Sequence, residues 1–160
     1  MLKLRWFAKL LRAGFFASLI LASCNERRSI HSESPDKPWP NLLEIKKIMN
    51  QHYQEDRYDS AIIYLDQLIA TDSSNGEYYY KRGYSHSLLG NKELSNADFE
   101  RAISFNHSVS NAYLNLGLNA VFDNDSLAMI YFKKSVAADS TNQKAAIQVY
   151  FCEMRLYNRQ

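Results

Sequence analysis

The sequence predicts an all-α chain built as an array of helix-turn-helix units. Three observations carry that expectation. Met49, Gly83 and Gly117 stand one constant interval apart, i to i+34, and so do His52, His86 and Ala120. The chain has five glycines, and its three prolines all fall within Pro35 to Pro40, which leaves the remainder free for helix. The third observation is where the period slips. Ala61 and Ser95 keep the i to i+34 interval, but Ser95 to Ala128 is shorter by one, and Leu65, Phe99 and Phe132 repeat the same shortfall. The missing residue falls near Phe122-Asp123-Asn124-Asp125, a polar turn. A turn tolerates a deletion that would throw a packed helix off its face.

The residue types at those places have a packing logic. Gly83 and Gly117 let two helices approach closely, Ala61, Ala102 and Ala128 meet the same need, and Phe99 and Phe132 fill the space beside them. Tyr79-x3-Gly83 followed by Ser95-x3-Phe99-x2-Ala102 recurs as Tyr113, Gly117, Ala128, Phe132 and Ser135. It recurs again, more degraded, as Ile45, Met49, Ala61, Leu65 and Leu68. This skeleton resembles the tetratricopeptide repeat (TPR). The resemblance implies a right-handed superhelical array of three units, about 42–75, 76–109 and 110–142 within 41–142, with two antiparallel helices of about 14 residues in each. The first unit departs most, with Met49 for the glycine, and an end unit has fewer neighbours to satisfy. Ser73, His107 and Ser140 stand where the family often ends its repeat on proline.

The start of the chain reads differently. A cationic stretch, MLKLRWFAKLLR, precedes the ten-residue apolar run AGFFASLILA, the length of a signal-peptide core and short for a membrane span. Leu21-Ala22-Ser23-Cys24 then resembles the bacterial lipobox. That implies a signal peptide over 1–23, lipidation at Cys24 and anchoring by several acyl chains, each buried methylene contributing about 0.8 kcal/mol. Asn25 rather than aspartate follows the cysteine, which by the Gram-negative sorting pattern points to the outer membrane, facing the periplasm. Residues 24–40 read as the lipidated cysteine and a polar, proline-bearing tether, with Trp39 placed to staple onto the first helix.

Residues 143–160 continue the helical pattern. Ile147, Tyr150, Phe151, Met154 and Tyr157 form one stripe, and Phe151 lies one full i to i+34 interval after Gly117. The expectation is a capping helix covering the last unit, with Cys152 a small buried hydrophobe.

Charge and chemistry exclude more than they suggest. Nineteen bases face 17 acids, but removing Lys3, Arg5, Lys9 and Arg12 with the leader leaves 15 bases, a net charge of about −2. No basic excess remains to draw nucleic acid. The sequence holds no Gly-rich phosphate loop, no Cys-x-x-Cys and no His-Glu-x-x-His, so no enzyme, metal or cofactor is expected. His52 and His86 occupy equivalent places and read as core-edge histidines. Glu55, Asp56, Asp59 and Asp66 read as a solvated face.

The surface expected to act is the concave one, which the resemblance lines with the first helix of each unit. That gives Lys46, Asn50 and Tyr53, then Glu77, Tyr80, Lys81 and Tyr84, then Asn111, Leu114, Leu118 and Val121. Lys46 and Asn50 match two of the five basic-clamp positions by which some members hold a terminal carboxylate. Lys81, Asn111 and Asn115 stand where those members have Asn, Lys and Arg. The expected function is a lipid-anchored envelope scaffold or adaptor that binds a protein or peptide partner, with envelope assembly as its setting. The alternative is a glycan- or lipid-binding module stacking its ligand on the tyrosines.

Overall fold

A computed structural model describes residues 41–158. The leader, Cys24 and the tether lie outside the described residues, so the lipidation and Trp39 expectations lie there too. Seven helices follow one another: α1 (Leu42–Gln54), α2 (Tyr58–Thr71), α3 (Gly76–Leu88), α4 (Lys92–Ser104), α5 (Val109–Ala120), α6 (Asp125–Ala138) and α7 (Gln143–Tyr157). Each packs on the next in sequence, and among the described residues there is no strand. The fold is the all-α repeat array that the spacing predicts.

Asparagine starts most of these helices. Asn41, Asn75, Asn124 and Asn142 each turn a side-chain oxygen onto an amide of the first turn, at 2.9, 3.1, 3.0 and 3.1 Å. This satisfies one of the orphan donors of the helix N-terminus. The turns within units explain the irregular period. Asp56 and Gly90 hold equivalent places and both adopt the left-handed conformation, φ 56° and 78°. The third such turn has no positive-φ residue, and Asn124 is extended at φ −152°. The deletion therefore removes the left-handed residue and leaves the flanking helices in register.

Within each unit the two helices meet at the glycine position. A methyl group at Gly117 would overlap the ring of Phe132, and one at Gly83 would come within 3.2 Å of the Phe99 ring. Phe99 and Phe132 are fully buried as a result. The first unit solves the same space differently. Met49 is 1% exposed and packs with Ala61, Leu65, Leu68 and Tyr78. A larger residue on α1 is matched by a smaller one, Leu65, on α2. The exchange conserves volume across the interface, so Met49 is a core residue rather than a relaxed end position.

The last helix corrects an expectation. Its buried face is Ala145 and Cys152, with Val149 packed beside them. Ile147, Tyr150, Phe151, Met154 and Tyr157, the expected covering stripe, are all exposed. The register explains why. Buried Tyr78 and Ala112 are followed by Ala145, and buried Ser85 and Asn119 by Cys152, so the step into α7 is again one short of the full repeat. The counterpart of Gly117 is thus Tyr150, and α7 is a fourth first-type helix. Cys152 is a free, buried cysteine, as the sequence suggests.

One test follows from the paired volumes. Gly117→Ala should lower stability by about 2 kcal/mol through overpacking, and adding Phe132→Leu should recover part of that loss. Urea melts of the two variants check it; a Gly117→Ala chain as stable as wild type would refute the close contact.

Candidate functional site: the concave wall

The first helices of the units lie side by side and touch through polar side chains. Lys81 on α3 donates to Asn50 on α1 at 3.0 Å, and Asn115 on α5 donates to the Tyr80 hydroxyl on α3 at 3.4 Å. A pocket of about 220 Å³ then joins α5 to α7, lined by Leu114, Leu118, Lys144, Ile147 and Gln148. The wall runs α1, α3, α5, α7, and its two halves differ in chemistry.

The α1–α3 half is already partnered within the chain. Lys81 pairs with Glu77 at 2.7 Å and stands over the Tyr53 ring at 5.8 Å. That lysine holds the Glu77 carboxyl below its ordinary range. Lys46 stands over the ring of Tyr78, 5.6 Å from its centre, and a hydrogen bond to that tyrosine raises the lysine pKa. Tyr53, Tyr58 and Tyr84 form a three-ring cluster with centroids 5.8 to 6.3 Å apart. Burial, and then the neighbouring tyrosines, push the Tyr53 hydroxyl well above its ordinary value. Donation to Asp56 pushes Tyr58 up to about 12. Tyr80 packs against Phe99 and His107 and is raised by its burial. Raised pKa values keep these hydroxyls protonated at neutral pH, with Tyr58 donating to Asp56 and Tyr80 accepting from Asn115.

The α5–α7 half is apolar and open. Leu118 is 41% exposed, whereas Leu114 beside it is 8% exposed and belongs mainly to the core with Phe132 and Ala145. Leu114 therefore closes the pocket floor rather than offering a free wall. Asn111 is exposed and its backbone carbonyl accepts from Asn115, and Val121 is half-buried against the core. Sequence reasoning missed Lys144, Ile147 and Gln148. Counting one short of the full repeat from Asn111, Leu114 and Asn115 finds all three.

Charge pairs fix the wall from behind. Arg82 on α3 grips Asp98 on α4 through two bonds, 2.8 and 2.7 Å, and Asp66 on α2 through a third at 2.6 Å. Asp98 is buried, and the two carboxylates, Asp98 first, push the guanidinium pKa up. Asp66 is exposed, as a solvated face requires, and is also one arm of this three-helix staple. Asn119 makes a second staple, accepting from Ser87 at 3.0 Å and donating to Ser95 at 3.0 Å and Asn96 at 2.7 Å. The histidines are structural in their surroundings. His52 stacks on Tyr64 with ring centres 5.4 Å apart, and burial lowers the pKa of His86. Among the described residues, no three His, Cys, Asp or Glu side chains are grouped to hold a metal.

Arg82→Ala would strand the buried Asp98 carboxylate and should cost about 3 kcal/mol of stability. Arg82→Met combined with Asp98→Leu should restore most of it. Denaturant melts of both variants decide, and an unchanged Arg82→Ala midpoint would dismiss the staple.

No family model matches the chain, and no curated protein matches it in sequence. Solved structures do match in fold. The first TPR of Spaghetti (RPAP3), bound to the HSP90 peptide SRMEEVD, is 19% identical and superposes with a TM-score of 0.65 over 72% of this chain and 92% of that one. MamA is 20% identical, with a TM-score of 0.64 over 70% of this chain and 62% of that one. The Yersinia enterocolitica type III secretion chaperone SycD, in complex with a peptide of the translocator YopD, is 9% identical, with a TM-score of 0.65 over 71% and 93%. Helix order, the glycine–phenylalanine contacts and these superpositions agree: residues 41–158 have the fold of tetratricopeptide-repeat domains.

Proposed function

We propose that this chain is a lipid-anchored cell-envelope adaptor that holds a peptide segment of a protein partner on its concave wall. The observation that carries the binding half is the open apolar pocket between α5 and α7, with exposed Leu118 and Ile147 on its sides and the Lys144 side chain exposed beside them. A segment offering one apolar anchor to the pocket and an acidic group to Lys144 fits that chemistry. Spaghetti and SycD, which share the architecture, were solved with peptides, and this supports a peptide as the ligand class. The basic clamp is not the mode, because Lys46 is engaged by Tyr78, and Lys81 by Glu77 and Asn50. Glycan stacking loses its platform too, since the rings of Tyr84 and Tyr80 already pack on Tyr53, Tyr58, Phe99 and His107.

A peptide array probed with the protein tests the pocket. Bound peptides should share an apolar anchor with an acidic neighbour, and Leu118→Ala should weaken binding by about 1–2 kcal/mol, roughly tenfold. Its denaturation midpoint should move less than that of a core truncation, because Leu118 is 41% exposed. Tyr84→Ala should behave the other way, losing about 2 kcal/mol of stability from its ring cluster. Unchanged binding by Leu118→Ala would remove the pocket from the proposal.

Support for the anchor is the lipobox-like Leu21-Ala22-Ser23-Cys24 behind an apolar run. With Cys24→Ala, the chain should accumulate as an unprocessed precursor without incorporated fatty acid. A wild-type chain that takes up no labelled acyl group would end the anchor reading while leaving the pocket untouched.

A further inference from the structure

Three lysines stand along the concave wall, Lys46 on α1, Lys81 on α3 and Lys144 on α7. The first two are occupied by groups of this chain: Lys46 by the Tyr78 ring, and Lys81 by Glu77, Asn50 and the Tyr53 ring. Lys144 is exposed and, among the described residues, has no ion pair, side-chain hydrogen bond or ring contact. Nothing beside it cancels its charge. Helix α5 carries no charged residue, and on α7 Glu153 pairs with Lys133 and Arg155 with Asp125. One uncompensated cation therefore borders the apolar pocket, and it lies outside the five basic-clamp positions.

The size of that pocket limits what enters it. Its volume is about 220 Å³, and a cavity of about 150 Å³ holds one benzene ring, so it takes one side chain of leucine or phenylalanine size. A helical ligand needs a row of anchors at i, i+3, i+4 and i+7. Towards α3 the wall offers none, because Tyr53, Tyr80 and Tyr84 fill that stretch and Asn115 bonds Tyr80 across the seam. An extended segment needs a single anchor. Lys144 precedes Ile147 and Gln148 by three and four residues, a rise of about 4.5 to 6 Å along α7. In an extended chain, side chains on one face recur at every second residue, about 6.6 Å apart. Adjacent residues face opposite sides, and residues four apart stand about 13 Å apart, twice the offset between cation and pocket.

We infer that the ligand is an extended acidic segment of about five residues, in which an apolar side chain and a carboxylate stand two positions apart. The apolar side chain fills the α5–α7 pocket and the carboxylate accepts from the Lys144 ammonium. This rests on the peptide reading given above and narrows it to a spacing and a length. Five residues of extended chain cover about 17 Å, enough for both contacts with one residue to spare at each end. The α1–α3 half of the wall takes no part, because its lysines and tyrosines are already held by their own neighbours.

The test titrates fluorescein-labelled, capped peptides with the full chain at low ionic strength. Each peptide carries one leucine and one glutamate in a glycine–serine background, one to four positions apart, in both orders. A separation of two, in one of the orders, should bind about threefold tighter than the other separations and than its own glutamine counterpart. Trimming that peptide from twelve residues to five should change affinity less than twofold. Lys144→Gln should erase the preference for glutamate over glutamine with an unchanged thermal melt. A preference for three or four would mark a helical ligand, and a steady gain with length a ligand that runs on to α3. A glutamate preference that survives Lys144→Gln would mark another cation. Each of these overturns the inference and leaves the pocket standing, provided the leucine is still required. Binding indifferent to loss of the leucine, or none by any peptide, would overturn the pocket reading and this inference with it.

Discussion

Two helices can pack with their axes close together only where one of them has nothing in the way. In this chain that constraint is met by trading volume across a single contact, Gly83 with Phe99, Gly117 with Phe132, and Met49 with Leu65. Everything else hangs on it. The close contact sets the angle between paired helices, which places the next unit, which lines up α1, α3, α5 and α7 as a wall. Dispersion contacts at such a site are many and individually small, so a gap or an extra methyl is felt across the whole interface.

Apolar packing alone leaves neighbouring helices free to slide, and polar side chains remove that freedom. Arg82 bonds three helices at once, and Asn119 ties α5 to both helices of the preceding unit. Ser110 and Ser135 exchange bonds through their hydroxyls and carbonyls at 2.9 and 2.8 Å, and Asn142, the cap of α7, joins them at 2.9 Å. These groups have geometry that a hydrocarbon contact lacks, so they specify register between units. They lie behind the wall, with Asp98, Ser95 and Ser135 buried, and leave the α5–α7 pocket free for other work.

Much of the fold was legible because the repeat imposes one residue type at one place. Gly83, Phe99, Gly117 and Phe132 each carry the same steric demand, and the demand shows in the sequence. The site was less legible. Charged partners follow no period: Arg82 has Leu116 at its next counterpart, so nothing in the spacing points to Asp66 or Asp98. Leu114 looks like a wall residue by position, yet α7 folds over it and draws it into the core. That helix also shows how one uncounted deletion propagates. A shift of one residue rotates a helix by about 100°, enough to exchange its covered and open faces, and it hid Lys144, Ile147 and Gln148 from view.

Cys152 sits on the covered face of that same helix, fully buried, with Arg155 donating to its sulfur at 3.3 Å. Among the described residues α7 packs on the preceding helices alone, so it detaches more readily than a helix covered on both sides. A thiol reagent cannot reach Cys152 until α7 lifts away from α5 and α6. The native cysteine is therefore a built-in clock for the lifting of α7, one that runs slower whenever a bound peptide holds that helix down.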